Sequence, residues 1–309
     1  TGISIGKTGV AMGATAIITF DQPLSATQDT AAIITTSGGA QVSKKEGNRV
    51  FVSLAGVPKC GDFVIAITND LQSNYEIAGN TAWNHAGRTI CQTISTIGHS
   101  AKGRAINAHY FGTGPATIIY TGAIHGSEPS SRALMLRWVD ELEANFRRIP
   151  AGKRIIVVPA INPDGIATGS RTNGNNVDLN RNFETADWKT DITTVNNAPF
   201  PGGGGATAMS EPETKAIAGL VAGLQPQLVL SYHSIGAVVA ANQAGNSSAL
   251  AGTYASLSGY GNVTGSSSAF EYAISGTAED YYGEKLGIPS ILVELGSHTY
   301  HQFEKNQKA

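Results

Sequence analysis

The sequence predicts a mixed α/β fold, a central sheet flanked by helices, preceded by a small all-β sandwich. Two observations carry this reading. Up to about residue 93 the chain consists of short β-branched and aromatic runs separated by turn residues. Beyond Ile97 the pattern switches to strand-then-helix units, which predict a largely parallel or mixed sheet covered by helices. A length of 309 residues, set against the ~150 of a common domain, agrees with two unequal domains, expected at 1–93 and 94–309.

In the first stretch, residues 16–20, 32–34, 50–54 and 63–67 are the expected strands, with Gly, Asp, Asn and Pro between them. The stretch carries no candidate catalytic cluster, and its one histidine, His85, reads as a surface residue. Cys60 and Cys91 are the only cysteines. They are either two buried thiols or a bridge, which would close a loop worth about 3–4 kcal/mol in the chain-entropy picture.

Lys and Arg total 21 against 23 Asp and Glu, a net charge of −2, and charged residues make up only 14% of the chain. No basic footprint for nucleic acid exists. Gly is abundant at 37 residues, which points to many turns and close backbone approaches. A surface of Ser, Thr, Asn and Gln with few ions suits an extracytoplasmic protein. No apolar run is long enough for a membrane helix. The chain starts at Thr1 without a leader, as expected if a signal peptide has been removed or was never included.

In the second stretch the expected strands are 105–110, 116–123, 154–159, 228–231 and 290–294. A helix over 131–146 places Leu134, Trp138, Leu142 and Phe146 on one stripe, opposite Arg132, Asp140 and Glu143. Ser210 and Glu213 read as a capping box opening a helix through Leu224, with Pro212 in its first turn. The glycines at 202–205 lack the Lys and Ser/Thr of a phosphate loop and read as a flexible loop that borders the cleft.

Chemistry concentrates at strand ends. His125 and Glu128 follow the strand 116–123 and open the next helix, so an imidazole nitrogen and a carboxylate oxygen three residues apart can meet one metal ion. By itself His-x-x-Glu is a weak signal, but its place at the carboxyl end of a central strand is where open α/β sheets bind ligands. His233, at the end of strand 228–231, supplies a third ligand; alone it would read as a core histidine. Glu294 ends a strand after three apolar residues, where another apolar side chain is expected.

These residues belong to an ordered series: Ser100 to Arg104, His125-x-x-Glu128, Asn162-Pro163-Asp164-Gly165, Arg171 followed by Asn180-Arg181, Ser210-Glu211-Pro212-Glu213, Ser231-x-His233-Ser234, and the strand ending in Glu294. The series resembles the zinc carboxypeptidase family, the carboxypeptidase A-like enzymes, over about residues 97–298. The resemblance implies a zinc-dependent metallocarboxypeptidase with one Zn2+ per chain held by His125, Glu128 and His233. Asp178 would fix the tautomer of His125. Glu294 would be the general base, Arg171 would stabilise the oxyanion, and Asn180 with Arg181 would grip the terminal carboxylate of a peptide substrate.

Counting back 22 and 15 residues from Glu294 assigns the family's mobile tyrosine to Tyr272 and the floor of its side-chain pocket to Glu279, whose bland alternative is a solvated loop acid. Tyr281 or Tyr282 would serve if the register slips. The catalytic region is short and carries His-Gly-x-Glu. It looks like bacterial enzymes that trim cell-wall peptides at the γ-D-glutamyl bond before diaminopimelate. Residues 15–24 and 77–80 weakly resemble bacterial immunoglobulin-like modules of secreted proteins, which fits that setting. The alternatives are release of C-terminal Lys or Arg from ordinary peptides, an aspartoacylase-like zinc deacylase, and an inactive wall-binding protein.

Overall fold

A computed structural model describes residues 2–73, 75, 81–264 and 272–309. The chain divides into two compact units between Gln92 and Thr93.

The first unit contains β1 (Gly2–Ile3), β2 (Thr15–Thr19), a short helix α1 (Thr30–Ile33), β3 (Ile34–Thr36), β4 (Gln41–Glu46), β5 (Arg49–Ser53), β6 (Asp62–Ile67) and β7 (Trp83–Arg88). Its two antiparallel sheets run β1-β2-β5-β4 and β3-β6-β7. Alternating residues of both enter one core, among them Ile18, Val50, Val52, Ile34, Phe63 and Ile65. Strand β4, Gln-Val-Ser-Lys-Lys-Glu, has no apolar run to announce it, because an edge strand needs only a neighbour's backbone and carries charge as protection. The expected strand over 32–34 begins instead as α1, capped by Asp29, whose side chain accepts from Ala31 N at 2.9 Å.

His85 is not a surface residue. It is buried, since β7 turns His85 and Gly87 inward, and its Nε2 lies 3.0 Å from the Gly6 carbonyl oxygen. Residues 77–80 of the immunoglobulin-like resemblance lie outside the described residues. Cys60 and Cys91 form a disulfide.

The second unit is built on an eight-stranded sheet. In chain order its strands are β8 (Thr93–His99), β9 (Ala105–Gly112), β10 (Ala116–Gly122), β11 (Lys153–Val158), β14 (Leu228–Ser234), β15 (Val238–Ala241), β16 (Gly261–Asn262) and β17 (Ser290–Leu295). The two-residue strands β12 (Ile192–Thr193) and β13 (Pro199–Phe200) pair separately. The helices are α2 (Pro129–Ala144), α3 (Pro163–Thr168), α4 (Pro212–Leu224), α5 (Ser247–Ser258), α6 (Ala278–Leu286) and α7 (Phe303–Asn306). The spatial order is β16-β15-β17-β14-β10-β11-β9-β8, with β11, β10, β14 and β17 mutually parallel at its centre. Those strands read as near-continuous apolar runs because both faces are covered. Leu134, Met135 and Val139 of α2, Tyr254 of α5 and Phe303 of α7 pack on one face. Ile217 and Val221 of α4 and Tyr282 of α6 pack on the other.

Two local expectations fail for tertiary reasons. The capping box does not form: Glu211 is the N-cap of α4, and Glu213 turns away to accept from Ala101 N at 2.9 Å and Asn173 Nδ2 at 3.1 Å. The glycine loop is not loose either. A Cβ on Gly203 would stand 2.6 Å from the Phe200 ring and one on Gly204 2.0 Å from the Lys189 carbonyl oxygen, so these glycines permit close packing.

The disulfide spans 31 residues of the first unit. Replacing both cysteines by serine should lower that unit's unfolding free energy by about 3–4 kcal/mol, read as a shift of its denaturant midpoint, while zinc content of the chain stays unchanged.

Candidate metal centre

Parallel pairing brings the site together at the carboxyl ends of the central strands. His233 and Glu294 are direct neighbours in the β14–β17 register, and β10, on the other side of β14, leads into the loop carrying His125. In that loop Ala123 takes a positive φ of 47°. Its N–H donates to Ser131 Oγ at 3.0 Å, while its carbonyl accepts from Asn162 N at 2.9 Å. Asn162 Nδ2 also donates to the Ile124 carbonyl at 3.2 Å. The backbone at Gly126 is pressed against that of Gly165 in α3, where a Cβ on Gly126 would meet the Gly165 carbonyl carbon at 1.9 Å. No side chain fits there, which gives the two motif glycines a steric reason.

His125 and Glu128 do not share the first turn of a helix. They span a separate turn, closed by Glu128 N donating to the His125 carbonyl at 3.2 Å, after which Pro129 begins α2. The two side chains still meet: His125 Nδ1 lies 2.7 Å from Glu128 Oε1, and His233 Nδ1 lies 3.3 Å from Glu128 Oε2. One ligand atom from each of the three residues falls within 4.8 Å of the others, and all three residues are buried. The remaining nitrogen of His125, Nε2, is 3.0 Å from Asp178 Oδ1. That contact orients the ring and leaves Nδ1 for the cluster, the relation metal-binding histidines require. Two imidazoles and a carboxylate suit zinc with one position left open.

The charges are strongly coupled. Burial opposes ionisation of Glu128, but the two imidazoles hold its carboxyl well below the usual range. Asp178 is likewise held low against burial by His125 and Arg171, whose Nε donates to its Oδ2 at 2.8 Å. Burial alone would lower His233, yet its hydrogen bond to Glu128 and that carboxylate's charge raise it to about 9. Burial pushes Glu294 up to about 7, and its Oε2 is shielded from water with no hydrogen-bond partner among the described residues.

A cavity of about 840 Å³ opens on the cluster. Its lining includes every residue singled out in the sequence for metal, substrate or base except Asp178, which acts behind His125. Arg181 is only 3% exposed; its Nη1 donates to the Asn180 carbonyl at 2.6 Å, and its Nε has no partner among the described residues. The Tyr272 ring centroid lies 5.7 Å from its guanidinium carbon. Glu279 is not a solvated loop acid: it is buried in the first turn of α6, with Oε1 unpartnered among the described residues. Asn180 joins the two, accepting from Ala278 N at 2.8 Å and pointing Nδ2 at Glu279 Oε2 at 3.5 Å. Tyr281 and Tyr282 do not line the cavity.

Other motif residues act as supports. Asp164 anchors the 100–104 turn, accepting from Ser100 Oγ at 2.9 Å and Lys102 N at 3.0 Å. The loop glycines at 202–205 do not border the cavity. Sequence reading missed Ser234, whose N–H donates to Glu128 Oε2 at 3.1 Å, and Asp280 and His298, which line the cavity. Adjacency to His233 and Glu279 was the available signal for the first two; His298 had none.

A zinc carboxypeptidase family model matches residues 86–308. The chain belongs to the zinc carboxypeptidase family. Among curated relatives it is 40% identical over 116 residues to murein peptide amidase A of Escherichia coli, covering 35% of this chain and 45% of that protein. It is 30% identical over 176 residues to the carboxypeptidase N catalytic chain of Mus musculus, covering 48% of this chain and 38% of that one. The chain thus spans less than half the length of these relatives. The fold matches the crystal structure of murein-tripeptide amidase MpaA from Escherichia coli O157 with a TM-score of 0.54 at 24% identity, over 69% of this chain and 90% of that one.

The pKa shifts predict an alkaline weakness of the metal-free protein. His233 binds its proton more tightly when folded, about 9 against an ordinary 6.5, so the stability it contributes is full below about 6.5 and lost as pH rises through 9. Glu294, raised from 4.5 to about 7, has the same sign at lower pH. Melting temperature in chelator should fall steadily from pH 5 to pH 9, and saturating zinc should flatten the upper half of that decline; a flat profile in chelator refutes the assignment.

Proposed function

We propose that this chain is a zinc-dependent metallocarboxypeptidase, with residues 94–309 as its catalytic domain. The observation that carries the reading is the meeting, in one cavity, of three metal-ligand atoms within 4.8 Å, a carboxylate oxygen of Glu294 unpartnered among the described residues and a buried Arg181. His125, Glu128 and His233 hold the ion, and Asp178 holds His125. Bound zinc supplies Lewis acidity toward the scissile carbonyl and the attacking water. Glu294, raised to about 7, takes a proton from that water and returns it to the leaving amine. Arg171, on the cavity wall, stabilises the developing oxyanion. Arg181 and Asn180 receive the terminal carboxylate, a guanidinium fork being matched to that group. Tyr272 covers it, and Glu279 receives an amine on the departing residue's side chain.

For substrate we infer a bacterial cell-wall peptide, L-Ala-γ-D-Glu-diaminopimelate, cut before diaminopimelate. The segment shared with murein peptide amidase A supports this, as does the amine at the far end of diaminopimelate, suited to Glu279. The disulfide and the two-sheet first unit, read as an immunoglobulin-like module over 1–93, support an extracytoplasmic setting. No helix of the described residues is long and apolar enough to cross a membrane. A second reading, release of C-terminal Lys or Arg, is favoured by Asp280, a further carboxylate beside Glu279 that would welcome an amine but not the far carboxylate of diaminopimelate.

Purified protein should contain about one zinc per chain. His233→Ala should lose it, and Glu294→Gln should keep it while turnover falls by about three orders of magnitude; zinc-free wild type with full activity would end the proposal. Incubation with the wall tripeptide beside a peptide ending in Lys, read by mass spectrometry, should release diaminopimelate. Release of Lys alone selects the second reading.

A further inference from the structure

The cavity has a buried end and an exposed rim. Arg181 and Glu279 lie at the buried end, where a terminal residue fits because no chain continues beyond it. The acyl part of a substrate must leave by the rim, where the exposed lining residues are Ser127, Val195, Ile235, Ala273 and His298. His298 is the one ionisable side chain among these five. Its Nδ1 lies 2.8 Å from Ser234 Oγ, and Ser234 N donates to Glu128 Oε2 at 3.1 Å, so the ring is tied to the metal cluster through a single residue. The loop that carries it is held at its far side, with Gly296 N and Tyr260 OH both donating to Gln302 Oε1 at 2.7 Å. In the tautomer in which the Ser234 hydroxyl donates to Nδ1, the ring proton sits on Nε2, the edge without a hydrogen-bond partner among the described residues.

We propose that His298, positioned by Ser234, forms a carboxylate subsite on the acyl side of the scissile bond, and that its ligand is the free α-carboxylate of a γ-linked glutamyl residue. The inference rests on the wall-peptide reading above and deepens it. A γ-glutamyl amide differs from an ordinary peptide by carrying a carboxylate separated from the reacting carbonyl by two methylenes and the α-carbon. Of the cationic groups in the cavity, Arg171 is engaged with Asp178 and Arg181 takes the terminal carboxylate, so the glutamyl carboxylate needs a further donor. Nε2–H of His298 supplies the donor, and the adjacent Ile235, 57% exposed, offers an apolar wall to the two methylenes.

The test compares three peptides on the zinc-loaded full chain: L-Ala-γ-D-Glu-diaminopimelate, its counterpart with the glutamyl α-carboxylate converted to carboxamide, and a peptide ending in Lys. Wild type should favour the carboxylate over the carboxamide by about tenfold in kcat/KM. His298→Ala should erase that preference, chiefly through KM, while cleavage of the carboxamide and Lys peptides stays within about twofold of wild type. His298→Gln, which retains an N–H donor, should recover part of the preference. Equal loss on all substrates, or an unchanged preference in His298→Ala, overturns the subsite and leaves the wall reading standing. Cleavage of the Lys peptide alone by the wild type overturns the wall reading, and the subsite with it.

Discussion

The contact between the backbones of Gly126 and Gly165 is the constraint on which the metal centre depends. A loop that leaves a central strand and must present an imidazole and a carboxylate to one point has little freedom to wander. Here its path is set by pressing it onto the start of α3, with Asn162 bonded to both Ala123 and Ile124. The same segment, through Asp164, anchors the turn joining β8 to β9. Ligand loop, support helix and strand ends therefore form one mechanical unit, in which a side chain at Gly126 would collide with the Gly165 backbone and one at Gly165 with Asn162 Nδ2, which holds the Ile124 carbonyl. Rigid support of this kind lets a site hold its geometry without the ion.

The polar groups of the cavity divide by whether the fold satisfies them. Glu128, Asp178 and Arg171 are paired, and their pairing outweighs the cost of burial. Arg181 Nε, Glu279 Oε1 and Glu294 Oε2 are buried without hydrogen-bond partners among the described residues. Unsatisfied buried groups cost stability, and in a native protein they call for an explanation. Their common address supplies it: all three line the one cavity that opens on the metal-ligand cluster.

Where the sequence misled, a tertiary partner outcompeted a local one. Ser210 and Glu213 have the spacing of a capping box, but Glu213 finds Ala101 and Asn173 across the fold. His85 looks unattached because its strand, Trp-Asn-His-Ala-Gly-Arg, lacks the alternation of a half-buried sheet, yet it faces the core against the Gly6 carbonyl. The glycines at 202–205 look like slack, whereas their small size lets backbone and ring approach. His298 carries no motif at all and reaches the cavity because the chain returns over Ser234 after β17.

The amino-acid order alone determined the mixed α/β class, the change of character near residue 95, and the family. Each of those is written in short-range periodicity or in the order of motifs along the chain. Tertiary structure alone decided which of the polar residues in those motifs touch. Parallel pairing set His233 beside Glu294, and helix α6 buried Glu279 in place of leaving it in a solvated loop. The rim histidine, too, met the cluster only once the chain had folded back. Such contacts join residues separated by tens to hundreds of positions, and their energies depend on burial and distance, quantities that no local pattern in the chain records.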